Sequence, residues 1–540
     1  MGISNLQLYN VQMTRRLSLI FSLLLFLSAN ARTADIDSIF IESVGGQKAF
    51  ERLKKLKSFK ITGEINWNGI EGNFTTVYQA PNKFITTSDF GQFIMAQGYD
   101  GEIAWQKDLD GSNSKLSGFE KQEIIRDLYL LSYQYLLNQN SDRDCEYLQT
   151  TGSDDSSYHY INCLAQEEEN LTLVFGKDNS RLAYINKTVD NLPVNTSFHD
   201  YSEIEGIIIP FKSVTTSPVV PIRTELLTKE IQFDVIIDSS LFTFQRKPLS
   251  DFHFPEDSHS VTIPFLFRNG HVLVRLKVNG RKFGWFILDT GTSASFYDKK
   301  FVAEMKLERF GEIPAMGLGG FQSLELTKFD SISVGPVTLY NQIAGVMPLD
   351  ILARQIQSKM TFGGLLGYDF FVRFPLLINF RRQTLTIFDP QKFEIENSQY
   401  AIPFQLTMKI PTVRATVNGV RGGFLIDLGN AFGLIIHQNF GRRLANAGQL
   451  KIDSSSSSYL GGVGEGVGSS TFSIASLMLE DLEIRVSEGL LADSGSGIIG
   501  SRYISGNIGT KILENYQILF DYANSRLFLF EPGSSPFKPH

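Results

Sequence analysis

Apolar and polar positions alternate with a period of two along most of this chain, the pattern of strands that bury one face. Between Lys57 and Phe242 the runs FKITGEINW, TTVYQA, KFITTSD, AQGYDGEIAW, LTLVFG and LAYINKTVD are short, rich in β-branched and aromatic residues, and separated by turn residues. They predict a series of antiparallel strands. Two stretches keep a helical spacing instead: Ser38 to Lys57 predicts one amphipathic helix, and residues 118–137 predict another. A curved antiparallel sheet embracing helices fits this order and gives an α+β unit over residues 35–242. Residues 243–261 are polar and proline-bearing, and read as a linker.

Beyond the linker the pattern repeats. Ile263-Pro264-Phe265 opens one segment and Ile402-Pro403-Phe404 opens another. Each continues to a Val-Asn-Gly turn, at 278–280 and 417–419, and then through apolar residues to an aspartate, Asp289 and Asp427. From Pro264 to Asp289 is 25 residues, and from Pro403 to Asp427 is 24. GLLGYDF at 364–370 is matched to GIIGSRY at 497–503, and both segments close on a hairpin, at 378–388 and 520–530. Residues 262–390 and 391–540 are therefore expected to be two tandem copies of one β-rich lobe, and the chain as a whole to be mainly β.

In each copy an apolar strand runs straight into a carboxylate: Trp285 to Leu288 into Asp289, and Phe424 to Ile426 into Asp427. An isolated buried carboxylate is very costly. Two that face each other cannot both be ionised, so they share one proton and one pKa rises. The charged member can activate a water while the protonated member donates to a carbonyl oxygen, which is acid–base hydrolysis of an amide without a covalent intermediate. Two copies related by a pseudo-twofold axis would bring equivalent residues to that axis.

Composition narrows the classes. At 540 residues the chain is too long for a single core. A net charge of −7 leaves no basic stripe for nucleic acid. Arg15 and Arg16, the apolar run Leu17 to Leu27 and Ala29-Asn30-Ala31 read as a signal peptide over residues 1–34, so export to the periplasm or cell exterior is expected. No later run is long enough to span a bilayer. Only Cys145 and Cys163 are present, flanking the turn sequence TGSDDSS, and a disulfide between them is expected across a hairpin. Their spacing fits neither a zinc site nor a catalytic thiol. There is no H-E-x-x-H and no G-x-S-x-G elbow, and the seven histidines read as ordinary surface or core residues.

Phe286-Ile287-Leu288-Asp289-Thr290-Gly291-Thr292 resembles the active-site loop of the retropepsin-like (pepsin-like) aspartic peptidases, in the exported bacterial form with two lobes. Leu365-Leu366-Gly367 and Ile498-Ile499-Gly500 resemble the segment that packs behind that loop. The resemblance implies that Asp289 is catalytic, that Thr290 locks the two loops together, that Gly291 allows the tight turn and that Thr292 hydrogen-bonds the carboxylate. The second copy departs from the pattern. In Asp427-Leu428-Gly429-Asn430 the aspartate and Gly429 survive, Leu428 cannot make the locking bond, and the Asn430 amide is expected to orient the carboxylate. GLGGF at 317–321, with Gly319 and Gly320, and GGVGEG at 461–466, with Gly464, lie where such folds carry flaps. The serine run 454–458 reads as a mobile loop leading into the second. More loosely, the helix, PNKF, the YDG turn and EGIIIPF in residues 35–242 resemble LolA/LolB-like lipoprotein-sorting half-barrels.

These readings imply an exported, monomeric aspartic endopeptidase without metal or organic cofactor. Its Asp289/Asp427 dyad would act on an extended or unfolded polypeptide, and the N-terminal unit would have room for a lipid or apolar ligand. Two alternatives stay open: an envelope protein that binds without catalysis, and a homodimer pairing Asp289 with its symmetry mate.

Overall fold

The structure, a computed structural model, describes residues 36–137, 145–148, 158–165, 169–356, 360–395, 401–462, 466–493, 495 and 497–533. The expected signal peptide and Gly464 lie outside the described residues.

Thirteen antiparallel strands between Ser58 and Phe233 form one curved sheet. They form two meanders joined where the first strand, Ser58–Trp67, pairs with the last, Arg223–Phe233, so that Asn113–Lys115 and Cys145–Leu148 are the sheet's edges. The expected single helix at 38–57 is two, residues 36–43 and Gln47–Lys54. Gly45 and Gly46 separate them with φ of 110° and 90°, a conformation that glycine adopts freely and that ends a helix. The second helical stretch also divides, into Gly118–Leu131 and Gln134–Leu137, at Tyr133 with φ 57°. Phe40 and Phe50 from the first helices, Tyr135 and Leu136 from the last, and Phe175 from the sheet are buried in one cluster. Between sheet and helices remains a cavity of about 610 Å³, lined by Phe59, Phe84, Leu130, Tyr133, Phe198 and Phe233 among others. Cys145 and Cys163 stand opposite each other on neighbouring antiparallel strands and are disulfide-bonded, as expected.

The two remaining halves each build a sheet of the same topology. In the first lobe Lys282–Leu288 runs parallel to Phe362–Leu366, which is antiparallel to Phe296–Asp298. In the second, Val420–Asp427 runs parallel to Gly506–Gly509, which is antiparallel to Leu434–Ile436. A third, six-stranded sheet joins the lobes in the order Ser260–Pro264, Thr384–Phe388, Leu376–Asn379, Gln517–Asp521, Arg526–Phe530, Ala401–Pro403. Each lobe supplies three strands, and the seam is the antiparallel pair Ile378 and Ile518. The terminal hairpins read in the sequence are what carries this sheet.

Two expectations from the repeat need correction. The counterpart of Leu365-Leu366-Gly367 is Asn507-Ile508-Gly509, because Ile508 pairs with Ile426 as Leu366 pairs with Leu288. Ile498-Ile499-Gly500, nine residues upstream, belongs to a 3-10 turn, Gly497–Gly500, with Ile499 buried among Ile435, Leu460 and Val467. The serine run lies in a strand, Ile452–Leu460, paired with Val467–Ser473, and is not a loop.

The segment 243–259 is tied down along its length. Phe252–His253 pairs with the edge of the first lobe's sheet. The fully buried Arg373 side chain bonds Asp251 through Nε at 2.9 Å and Nη2 at 2.5 Å, and also bonds the carbonyls of Asp110 at 2.9 Å and Asp369 at 2.5 Å. One guanidinium thus joins the N-terminal unit, the connecting segment and the first lobe.

Candidate active site

That apolar strands end in carboxylates has a geometric reason. Phe286, Ile287 and Leu288 in one lobe and Phe424, Leu425 and Ile426 in the other are buried, since these strands lie inside their sheets with neighbours on either side. Each strand ends at the boundary between the lobes, where Asp289 and Asp427 come within hydrogen-bonding reach of each other. Asp289 N–H donates to the Leu366 carbonyl at 2.9 Å and fixes the first strand end.

The two aspartates have different surroundings. Asp289 Oδ1 accepts from Gly291 N–H at 2.7 Å. Asp427 Oδ1 accepts from Gly429 N–H at 2.9 Å and Asn430 N–H at 3.1 Å, and its Oδ2 accepts from Asn507 Nδ2 at 2.9 Å. Burial, and then the charge of Asp427, pushes the Asp289 pKa well above the ordinary carboxylate range. Burial also raises Asp427, but Asn507 and the backbone N–H groups of Gly429 and Asn430 hold it back. In such a coupled pair one proton is shared, and the donors on Asp427 favour the charge there.

Thr290 locks the loops as its resemblance implied: its Oγ1 donates to the Ile426 carbonyl at 2.7 Å and accepts from Leu428 N–H at 3.0 Å. Leu428, fully buried, offers no reciprocal bond; its carbonyl accepts from Thr510 Oγ1 at 3.1 Å instead. Two expected roles do not hold. Thr292 Oγ1 donates to the Ala294 carbonyl at 3.0 Å and not to the carboxylate. The Asn430 side chain turns to accept from Phe432 N–H at 2.9 Å, leaving only its backbone N–H on Asp427. Asn507 does what neither can. It occupies the position matching Leu365, where the apolar-apolar-Gly pattern demands an apolar residue, so a search for that pattern passes over it.

A cleft of about 830 Å³ surrounds the pair. Its first-lobe wall is apolar, with Ile313, Met316, Leu324, Ile343 and Met347. Gly317 and Leu318, at the turn between strands Arg309–Met316 and Phe321–Val334, line it; Gly319 and Gly320 sit in the same turn. Leu460, Gly461 and Gly462 line it from the second lobe. The two tips meet, since a β-carbon on Gly462 would stand 3.3 Å from that of Leu318. Ile498 N–H also donates to the Gly317 carbonyl at 3.1 Å, so the misassigned GIIG turn supports the first tip. Leu109 and Asp110 of the N-terminal unit and the turn Met408-Lys409 of the second lobe close another side. Lys409 pairs there with Asp108 at 3.1 Å, and Met408 N–H donates to Glu120 at 3.2 Å. Two histidines are core residues beside the site: His271 lines the cleft and is buried, with its pKa lowered by burial to about 4, and His437 is buried behind Asn507. Among the described residues no cluster of His, Cys, Asp and Glu is placed to hold a metal ion.

No curated protein matches the chain. Among solved structures it is similar to the aspartic proteinase from Irpex lacteus, at 12% identity over 51% of this chain and 98% of that one, with a TM-score of 0.34. A LolA superfamily protein from Nitrosomonas europaea is similar at 13% identity over 39% of this chain and 97% of that one, with a TM-score of 0.30. The stretch that carries Asp289-Thr290-Gly291 and Leu365-Leu366-Gly367, residues 274–370, matches the family described as aspartyl protease.

Proposed function

We propose that the chain is an exported aspartic endopeptidase, hydrolysing peptide bonds of extended or unfolded polypeptide through Asp289, Asp427 and an activated water. One observation carries the reading: two carboxyl groups, from equivalent strand ends of two duplicated lobes, share hydrogen-bonding reach inside a cleft. Charged Asp427 takes a proton from water as it attacks the scissile carbonyl, and protonated Asp289 donates to the carbonyl oxygen. The two hairpin tips that line the cleft suit a substrate laid in as an added strand. The apolar first-lobe wall favours large apolar side chains beside the scissile bond. The test is cleavage of an unfolded protein between pH 4 and 7. Loss in both Asp289→Asn and Asp427→Asn supports the internal dyad, whereas loss in the first alone points to a homodimer, and an inert wild type to a binding protein.

The 610 Å³ cavity of the N-terminal unit favours a second, compatible role as a holder of an apolar ligand. Uptake of a fluorescent fatty acid, abolished when Phe84→Glu charges the wall, checks it.

A further inference from the structure

Behind Asp427 lies a chain of side chains that the dyad chemistry does not itself require. Asn507 Nδ2 is 2.9 Å from Asp427 Oδ2, and Asn507 Oδ1 is 3.0 Å from Nε2 of His437. Asn507 is 4% exposed and His437 is 0% exposed. The first lobe has nothing comparable, for Leu365 stands at the matching position. We propose that Asn507, held in register by His437, is the positioning residue that makes Asp427 the water-activating base and leaves the shared proton on Asp289.

The argument runs through donors and acceptors. A carboxamide can present either its oxygen or its NH₂ to a neighbour, and toward a carboxylate only the NH₂ is useful. His437 settles the choice when its proton is on Nε2. Burial lowers its pKa to about 4, so the ring is neutral at working pH and carries one N–H. With that proton on Nε2 it donates to Asn507 Oδ1, which obliges Asn507 Nδ2 to face Asp427. A hydrogen bond donated to the charged form of a carboxyl group favours that form. Asp427 thereby collects one side-chain and two backbone donors. The titratable groups around it are Asp289, His437 behind Asn507, the buried phenol of Tyr522, whose pKa is raised by burial and then by neighbours that include both aspartates, and, in the lining of the same cleft, Asp110, Asp369, His271 and Lys409. Lys409 is held by Asp108, and among the described residues Asn507 is the side chain that donates to Asp427, so beyond the backbone donors the asymmetry between the two aspartates rests on this amide.

This inference rests on the peptidase reading for its consequence, but its test does not. The full-length chain is produced with ¹³C-labelled aspartate side chains, and the Asp289 and Asp427 carboxyl signals are identified by their loss in Asp289→Asn and Asp427→Asn. In wild type Asp427 is expected to titrate first and Asp289 later. Asn507→Leu is expected to raise the Asp427 step by about one pH unit. His437→Phe should move it in the same direction by less, and His437→Gln, which keeps an N–H donor, should leave it in place. Cleavage of an unfolded protein measured in parallel should show the acid limb of kcat/KM moving with the Asp427 step. Superimposable titrations of wild type, Asn507→Leu and His437→Phe, with circular dichroism unchanged, overturn the proposal even if the protein cleaves. A shifted titration in a protein that cleaves nothing keeps the relay and overturns the peptidase reading. Should Asn507→Leu not fold, the contrast between His437→Phe and His437→Gln decides alone.

Discussion

Gly291 faces Asp427 so closely that a β-carbon built on it would lie 2.2 Å from Oδ1 of that carboxylate. Gly429 stands in the same relation to Asp289, with all three carboxyl atoms 2.5 Å from its ideal β-carbon. The glycine of each loop therefore makes room for the acid of the other. Any side chain there must push the pair apart, and small misplacements at a catalytic centre reduce rate steeply. Gly291→Ala and Gly429→Ala should each lower kcat/KM on an unfolded substrate by at least about 100-fold while the far-ultraviolet circular dichroism stays that of wild type. Full activity in either variant would show that the loops do not interlock this way.

Thr290 makes the one side-chain bridge between the loops that the sequence retains. Thr290→Val keeps the shape but leaves Leu428 N–H, buried and formerly bonded at 3.0 Å, without its acceptor. Unfolding by denaturant should show a loss of about 1–3 kcal/mol, with turnover falling further than substrate affinity. An unchanged midpoint would mean that the loops are held by their strands alone.

Much of this site can be read from the chain, and the parts that cannot share a cause. The strand-to-aspartate pattern, the Val-Asn-Gly turns and the closing hairpins are local and repeat in order, so the lobes and both aspartates could be placed. The helix at 38–57 was expected whole because its apolar spacing continues through Gly45-Gly46, and only the positive φ there breaks it. Asn507 escaped because its importance lies in pairing: the register of Ile426 with Ile508 brings it under Asp427, and no spacing in the sequence distinguishes Asn507-Ile508-Gly509 from the better-looking Ile498-Ile499-Gly500. Position in a motif implies a role for Thr292 and Asn430, whereas each side chain turns to a backbone group two residues on.

Arg373 carries a second group of buried polar contacts, and its removal tests how the three parts of the chain depend on one another. Arg373→Leu would take this donor from the Asp110 and Asp369 carbonyls and leave the partly exposed Asp251 carboxylate with Gln342. Breaking a buried pair from one side costs about 3–5 kcal/mol. A drop of that size in unfolding free energy is expected, along with faster proteolysis within 243–259. A variant that melts like wild type would show that these contacts are redundant.

Glu120 gives the region beside the cleft a dependence on pH. Burial pushes its pKa up to about 7, the Asp108 carboxylate adds to this, and Met408 N–H and Lys409 oppose it. The folded value lies above the ordinary 4.5, so the folded chain binds the proton more tightly than the unfolded one. The stabilisation is complete below about pH 4.5 and is lost as pH rises toward about 7. The melting temperature of wild type should therefore gain on Glu120→Gln as pH falls from 7 to 4.5. Parallel curves for the two proteins across that window would count against it.

The six-stranded sheet that joins the lobes through Ile378 and Ile518 limits how a long substrate can gain access to the dyad. Separating the lobes would tear main-chain bonds along a seam in the molecule's middle, which local fluctuation does not do. Lifting a few residues near Leu318 and Gly462 disturbs far less. Admission and release should thus be governed by the tips of two ribbons, with the halves behind them standing still, and turnover should respond to changes at those tips far more than to anything that stiffens the seam.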